Sequence, residues 1–144
     1  MKFVDQLLDG KGRDVWSITP DATVYDALGL MAEKRIGALV VLEGEQLAGL
    51  FSERDYARKV ILQGKSSKGT PVRDIMSRRV LCIGPEQSVQ DCMALMTERR
   101  IRHLPVVADD RLVGLVSIGD VVKAVIADQE EVIEHLEHYI TGSP

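Results

Sequence analysis

Apolar and polar positions alternate between two periods along this chain. From Thr23 onward Val24, Ala27, Leu28 and Met31 recur at intervals of three and four, the spacing that gives a helix one buried stripe. Ala38 to Leu42 is then a continuous apolar run, followed by the turn Glu43-Gly44-Glu45-Gln46 and a second run from Leu47 to Phe51. Such a pair of runs predicts a β-hairpin. A short extended segment, Val15 to Ile18, ends at Pro20 ahead of the first helix, and Ser52 opens a second helix to about Leu62. Gly64-Lys65-Ser66-Ser67-Lys68-Gly69 reads as a polar linker. From Val80 the whole order returns.

The return has a fixed register. An offset of 65 residues pairs Pro20 with Pro85, Val24 with Val89, Met31 with Met96, Arg35 with Arg100, Leu39 with Leu104 and Leu47 with Leu112. It also lays Gly49-Leu50-Phe51-Ser52-Glu53-Arg54-Asp55 over Gly114-Leu115-Val116-Ser117-Ile118-Gly119-Asp120. Of the 46 positions from Val15 to Val60, 18 are identical to their partners without a gap, so the repeat decides the architecture before local propensity is consulted. One copy has too few strands to cover its own apolar sheet. The expected fold is therefore mixed α/β (α+β), two β-α-β-β-α units related by a pseudo-twofold axis. Phe3, Val4, Leu7 and Leu8 predict a short N-terminal helix outside the repeat, and apolar residues from Val122 to Ile140 predict a long C-terminal one. The expected divisions are a helical lead-in at 1–12, a first unit at 13–64, a linker at 65–72, a second unit at 73–127 and a helical extension at 128–144.

Composition narrows the function. With 144 residues, 45% apolar and 4% aromatic, the chain can bury an aliphatic core but offers few rings for base stacking. Its net charge of −4 disfavours nucleic acid as the main partner. Cys82 and Cys92 form no CxxC pair and have no histidine at metal-ligand spacing, so both are expected to be reduced core thiols and no metal site is expected. No apolar run approaches the roughly 18 residues of a membrane span. A cytoplasmic location without membrane insertion is the expectation.

Ser52-x-x-Asp55 and Ser117-x-x-Asp120 sit where a strand gives way to a helix. Serine at the N-cap with an acid three residues on is a capping box, a common structural device. The same helix start also offers unpaired N–H groups to a phosphate, and a carboxylate beside it can accept both hydroxyls of a ribose. Either reading fits a single box; finding two favours a paired site.

The 65-residue repeat, with Gly, two apolar residues, Ser and Asp closing each hairpin, resembles the CBS domain, whose tandem pair is called a Bateman module. The resemblance covers roughly residues 13 to 127. It implies a disc whose clefts hold AMP, ATP, NAD or S-adenosylmethionine, with Asp55 and Asp120 on the ribose and Ser52 and Ser117 near the phosphate. Arg54 and Arg58 flank Asp55, whereas Gly119 stands opposite Arg54, so the two sites differ. Arg102-His103-Leu104-Pro105, aligned with Gly37-Ala38-Leu39-Val40, resembles in swapped order the His-Arg pair that contacts phosphates in the regulatory subunit of the AMP-activated kinase. Ser17, Ile18 and Thr19 match the family segment that meets base and ribose, and Cys82 and Gly84 replace the polar pair in the second copy. Gly37, Ala38, Leu104 and Pro105 join the candidate contacts by the same resemblance.

These readings point to a nucleotide sensor with no catalytic residue and no catalytic cofactor, working as a homodimer on a separate effector protein. His103, His135 and His138 have no paired nucleophile and no Gly-rich phosphate loop. The alternative is an interaction scaffold with vestigial clefts that works through its last helix.

Overall fold

The structure is a computed structural model that describes residues 2–141; Met1 and residues 142–144 of the two expected flanking segments lie outside the described residues. The elements in order are α1 (Val4–Lys11), β1 (Ser17–Ile18), α2 (Val24–Lys34), β2 (Ala38–Glu43), β3 (Gln46–Ser52), α3 (Glu53–Tyr56), α4 (Val89–Arg99), β4 (His103–Ala108), β5 (Arg111–Ser117) and α5 (Ile118–Thr141). A wide π-type turn, Ala57–Ile61, continues α3, and a single 3₁₀ turn spans Val72–Asp74. Helix α2 and helix α4, β2 and β4, and β3 and β5 all coincide at the offset of 65. The chain divides into two compact units, one of Asp14–Leu81 with Asp109–Val113 and one built from the N-terminal segment, Cys82–Ala108 and the chain from Gly114 onward.

In the first of these units, β1 pairs in parallel with β2, and β2 pairs antiparallel with β3 through the predicted turn. Thr23 caps α2, its hydroxyl accepting from the Asp26 N–H at 3.1 Å, and Arg35 ends the helix with a left-handed φ of 55°. Val24, Ala27 and Met31 meet Leu39, Val41, Phe51 and Val60 in the core. The core is completed from the far end of the unit by Val72, Ile75 and Met76. That segment is sewn in: the Val24 N–H donates to Thr70 O at 2.9 Å, the Val72 N–H to Ala22 O at 2.8 Å, and Leu50 and Ser77 exchange bonds of 3.0 and 2.9 Å. Gly49 is required there, because a Cβ would lie 2.8 Å from Ser77 O and 2.8 Å from Met76 Sδ.

The other unit repeats the plan with a different segment in the same role. Ser88 caps α4 and Arg100, at φ 54°, ends it. Here the sealing piece is α1. The Val4 N–H donates to Gln87 O and the Val89 N–H to Lys2 O, both at 2.9 Å, and Leu8 packs where a Cβ on Gly114 would come within 2.7 Å of it. Val4, Leu7 and Leu8 are buried, as are Val72, Ile75 and Met76. The two sealing segments therefore correspond at an offset of 68, not 65. Three extra residues hide the match from a fixed register. Burying three such aliphatic side chains is worth about 1.5–3 kcal/mol each, so each unit depends on a segment outside its own hairpin and helices.

Two details depart from expectation. Cys92 is buried as expected, its thiol pushed up to about 11 by burial and then by the Asp91 charge. Cys82 is exposed and is not a core thiol. The strand it was read into is reduced to one parallel bridge, Ile83 to Val106, and Ile83 alone turns inward. The C-terminal helix, by contrast, is long, as predicted, with 24 residues from Ile118 to Thr141.

Candidate functional site

Both Ser-x-x-Asp boxes are formed, each in its own unit. In the first, the Ser52 N–H and hydroxyl donate to Asp55 Oδ2 at 3.0 and 3.1 Å, and the Asp55 N–H donates back to Ser52 Oγ at 3.2 Å. In the second, the Ser117 N–H donates to Asp120 Oδ2 at 2.9 Å and the Asp120 N–H to Ser117 Oγ at 3.2 Å. The residue after each serine is tied to the start of the hairpin: the Glu53 N–H donates to Gly37 O at 3.1 Å, and the Ile118 N–H to Arg102 O at 2.9 Å. Gly37 and Arg102, singled out from sequence, are thus brought to their boxes by backbone.

Each carboxylate also holds a lysine, and the two lysines are not counterparts. Lys59, four residues on in the same helical segment, places Nζ 3.2 Å from Asp55 Oδ1 while donating to Ile75 O at 3.0 Å. The Ser77 hydroxyl reaches the same Oδ1 at 3.4 Å. At the other box Lys11, from α1, places Nζ 2.5 Å from Asp120 Oδ2 and donates to Leu115 O at 2.8 Å. The position aligned with Lys59 is Ala124, which is buried. Burial acts to raise the Asp120 pKa, but the Lys11 hydrogen bond and charge, together with the Ser117 hydrogen bonds, outweigh it and hold the carboxyl below its ordinary value.

His103 begins β4, half-buried beside this box. Its pKa is lowered, first by burial and then by the Lys11 charge, with Arg102 adding to the effect and Asp120 opposing it. A neutral imidazole thus shares a small region with Lys11, the Arg102 backbone and an ionised Asp120. Such a group can bind an anion: a phosphate would offset the local cations and would itself favour protonation of His103.

The remaining candidates are placed less closely. Ser17 and Ile18 lie in β1, with Ser17 and Thr19 exposed, while Cys82 and Gly84 flank the Ile83 bridge. Ala38, Leu104 and Pro105 have buried side chains, and Pro105 O already accepts from the Ile83 N–H at 3.0 Å. Arg54 and Arg58 are exposed. Sequence spacing selects Arg58 as the cation on Asp55's side of the helix, but the structure brings Lys59 to the carboxylate. The wide turn from Ala57 carries more residues per revolution than an α-helix, which favours the fourth residue over the third. Lys59 was open to an i,i+4 reading; Lys11 and Ser77 come from sealing segments and had no local sign. Among the described residues no group of three or more His, Cys, Asp and Glu could hold a metal ion.

Residues 12–61 and 72–127 each match the family model of the CBS domain. A solved structure of a protein with CBS domains from Burkholderia ambifaria MC40-6, assigned to signal transduction, is 55% identical, with a TM-score of 0.85 over 88% of this chain and 96% of that one. The CBS domain-containing protein CBSX3, mitochondrial, of Arabidopsis thaliana is 49% identical over 141 residues, which are 92% of this chain and 68% of that protein. The CBS domain-containing protein YhcV of Bacillus subtilis is 36% identical over 74% of this chain and 75% of its own length.

Proposed function

The chain belongs to the CBS-domain family, of which it carries two copies, and on that premise we propose that it is a sensor binding an adenosyl nucleotide, AMP, ATP or NAD, at its Ser-x-x-Asp boxes. The observation that carries the reading is the state of the two carboxylates. Each is fixed by its own serine at a helix start with a lysine against it, so a ribose would meet an oriented acceptor and a phosphate a nearby cation. The box of Ser117 and Asp120 is the stronger of the two. Lys11 stands 2.5 Å from its carboxylate against 3.2 Å for Lys59 at the first, and the neutral His103 beside it can take up a proton when a phosphate binds, while Arg54, Arg58 and Arg102 are all exposed. Binding acts through shape or partner contact and not through catalysis, on an effector that is a separate protein, with the chain working as a cytoplasmic homodimer. No helix among the described residues is long and apolar enough to cross a membrane.

Isothermal titration with AMP, ATP, NAD and NADH tests this, with heat and a thermal shift from at least one expected. No response to any adenosyl compound would falsify it. The exposed apolar face of α5 favours a second reading, a scaffold whose boxes are only helix caps. An Asp55→Ala, Asp120→Ala double variant that still engages its partner normally would support that reading instead.

A further inference from the structure

Helix α5 carries one apolar stripe within its unit and another outside it. Val121 and Ala124 are buried. One residue round, Val122, Ile126, Gln129, Ile133, Leu136 and Ile140 follow at spacings of four, three, four, three and four, the pattern of a coiled-coil seam. All six are exposed, from Val122 at 44% to Ile140 at 80% for the apolar ones. Val125, Val132 and Tyr139 flank the seam on one side at every seventh position, and Lys123, Glu130 and Glu137 on the other. Val125, Val132 and Ile133 also line an open groove of about 600 Å³ with Phe3 and Val89.

We propose that a second copy of this chain covers the seam, its α5 running antiparallel about a twofold axis near Val132. The flanking residues select that direction. In an antiparallel pair flanking positions meet their own kind, so Val132 faces the partner's Val132, Val125 faces the partner's Tyr139, and Lys123 faces the partner's Glu137. A parallel pair would set Val125 and Val132 against the partner's Glu130 and the partner's Glu137, apolar against acid. Among the flanking positions the one unfavourable antiparallel contact, Glu130 against the partner's Glu130, lies on the outer edge, where solvent screens it.

The groove and the area agree with this occupant. Val125 is a groove residue, so the side chain delivered to it is the partner's Tyr139, and tyrosine here is 87% exposed. Val122, Ile126, Val132, Ile133, Leu136, Tyr139 and Ile140 leave on the order of 100 Å² of apolar surface each. Their total, roughly 700 Å² per copy, approaches the ~800 Å² per partner of a standard interface.

Sedimentation of the full chain is expected to give twice the 15.9 kDa chain mass. Ile133→Glu with Leu136→Glu weakens the dimer by at least about 30-fold, and circular dichroism checks that this variant stays folded. Orientation is read by oxidation in a Cys82→Ser background. Val132→Cys links two chains because Val132 is its own neighbour across the axis, and Ile133→Cys, opposite the partner's Gln129, links poorly. Lys123→Glu weakens the dimer several-fold, and adding Glu137→Lys restores it. A folded monomer at tens of micromolar, a dimer indifferent to Ile133→Glu with Leu136→Glu, or linking through Ile133→Cys but not Val132→Cys overturns the proposal. A folded monomer that still bound nucleotide would do so without touching the sensor reading.

Discussion

The boxes at Asp55 and Asp120 are the same device supplied from different places. Both carboxylates close the same capping bonds at the same point of the repeat. At Asp55 the cation is Lys59, one turn along the same segment, so the pair forms wherever that segment is helical. At Asp120 the cation is Lys11, 109 residues away on α1, and it arrives only when α1 is docked. A duplicated scaffold has thus kept its caps and changed its source of charge. Box one draws its cation locally; box two draws it from α1.

The comparison breaks most decisively at the sealing segments. Leu8→Ala removes a fully buried side chain that holds α1 in place; it is expected to cost about 2–5 kcal/mol in denaturant unfolding and to weaken the Asp120 box while leaving Asp55 its lysine. Next come the glycines beneath those segments. Gly49→Ala forces a Cβ against a backbone carbonyl as well as Met76, and is expected to cost about 2 kcal/mol. Gly114→Ala meets only the end of the Leu8 side chain, which can shift, and is expected to cost about 1 kcal/mol or less in the same assay. Equal costs would show that the two seals are not distinguished by what lies under the glycine.

Binding sharpens the contrast further. Asp120→Asn, which keeps the shape but loses the charge, is expected to reduce affinity for the tightest adenosyl ligand about tenfold or more, from the lost charged hydrogen bonds. Asp55→Asn is expected to cost less in the same titration, since its lysine stands farther off, 3.2 Å against 2.5 Å. Lys11→Ala should follow Asp120→Asn in direction, and its effect should shrink with added salt.

The smallest effects are those of pH. Asp120 has its pKa depressed in the fold, so its stabilisation is present above its unfolded value near 4 and is lost as pH falls through the lower folded value. Unfolding midpoints measured down that range should fall less steeply for Asp120→Asn than for the parent chain. His103 is also depressed, which for a base means the fold resists its protonation. Stability then falls as pH drops below about 6.5 toward the lower folded pKa, and His103→Gln should flatten that part of the curve.

Much of this was legible in sequence because it is local and repeated. The stripe at Val24, Ala27 and Met31, the runs either side of Gly44 and the serine-aspartate spacing each fix an element through contacts a few residues long, and a second copy 65 residues on removes the ambiguity of any one. The caps at Thr23 and Ser88, and the length of α5, followed from the same short-range chemistry.

Tertiary structure decided what spans the chain. That α1 seals the unit of the second copy, that Val72 to Met76 seal that of the first at a register shifted by three residues, and that Lys11 neutralises Asp120 depend on contacts whose partners are far apart in sequence. No period or propensity encodes such a pairing; it is fixed by which apolar surface remains uncovered once the local elements have formed. The same holds for Lys59 over Arg58, where a widened turn, invisible in the pattern of residues, chose between two cations one position apart. Sequence alone therefore determined the repeat, its helices and its caps, while the packed chain determined which charge stands beside each carboxylate.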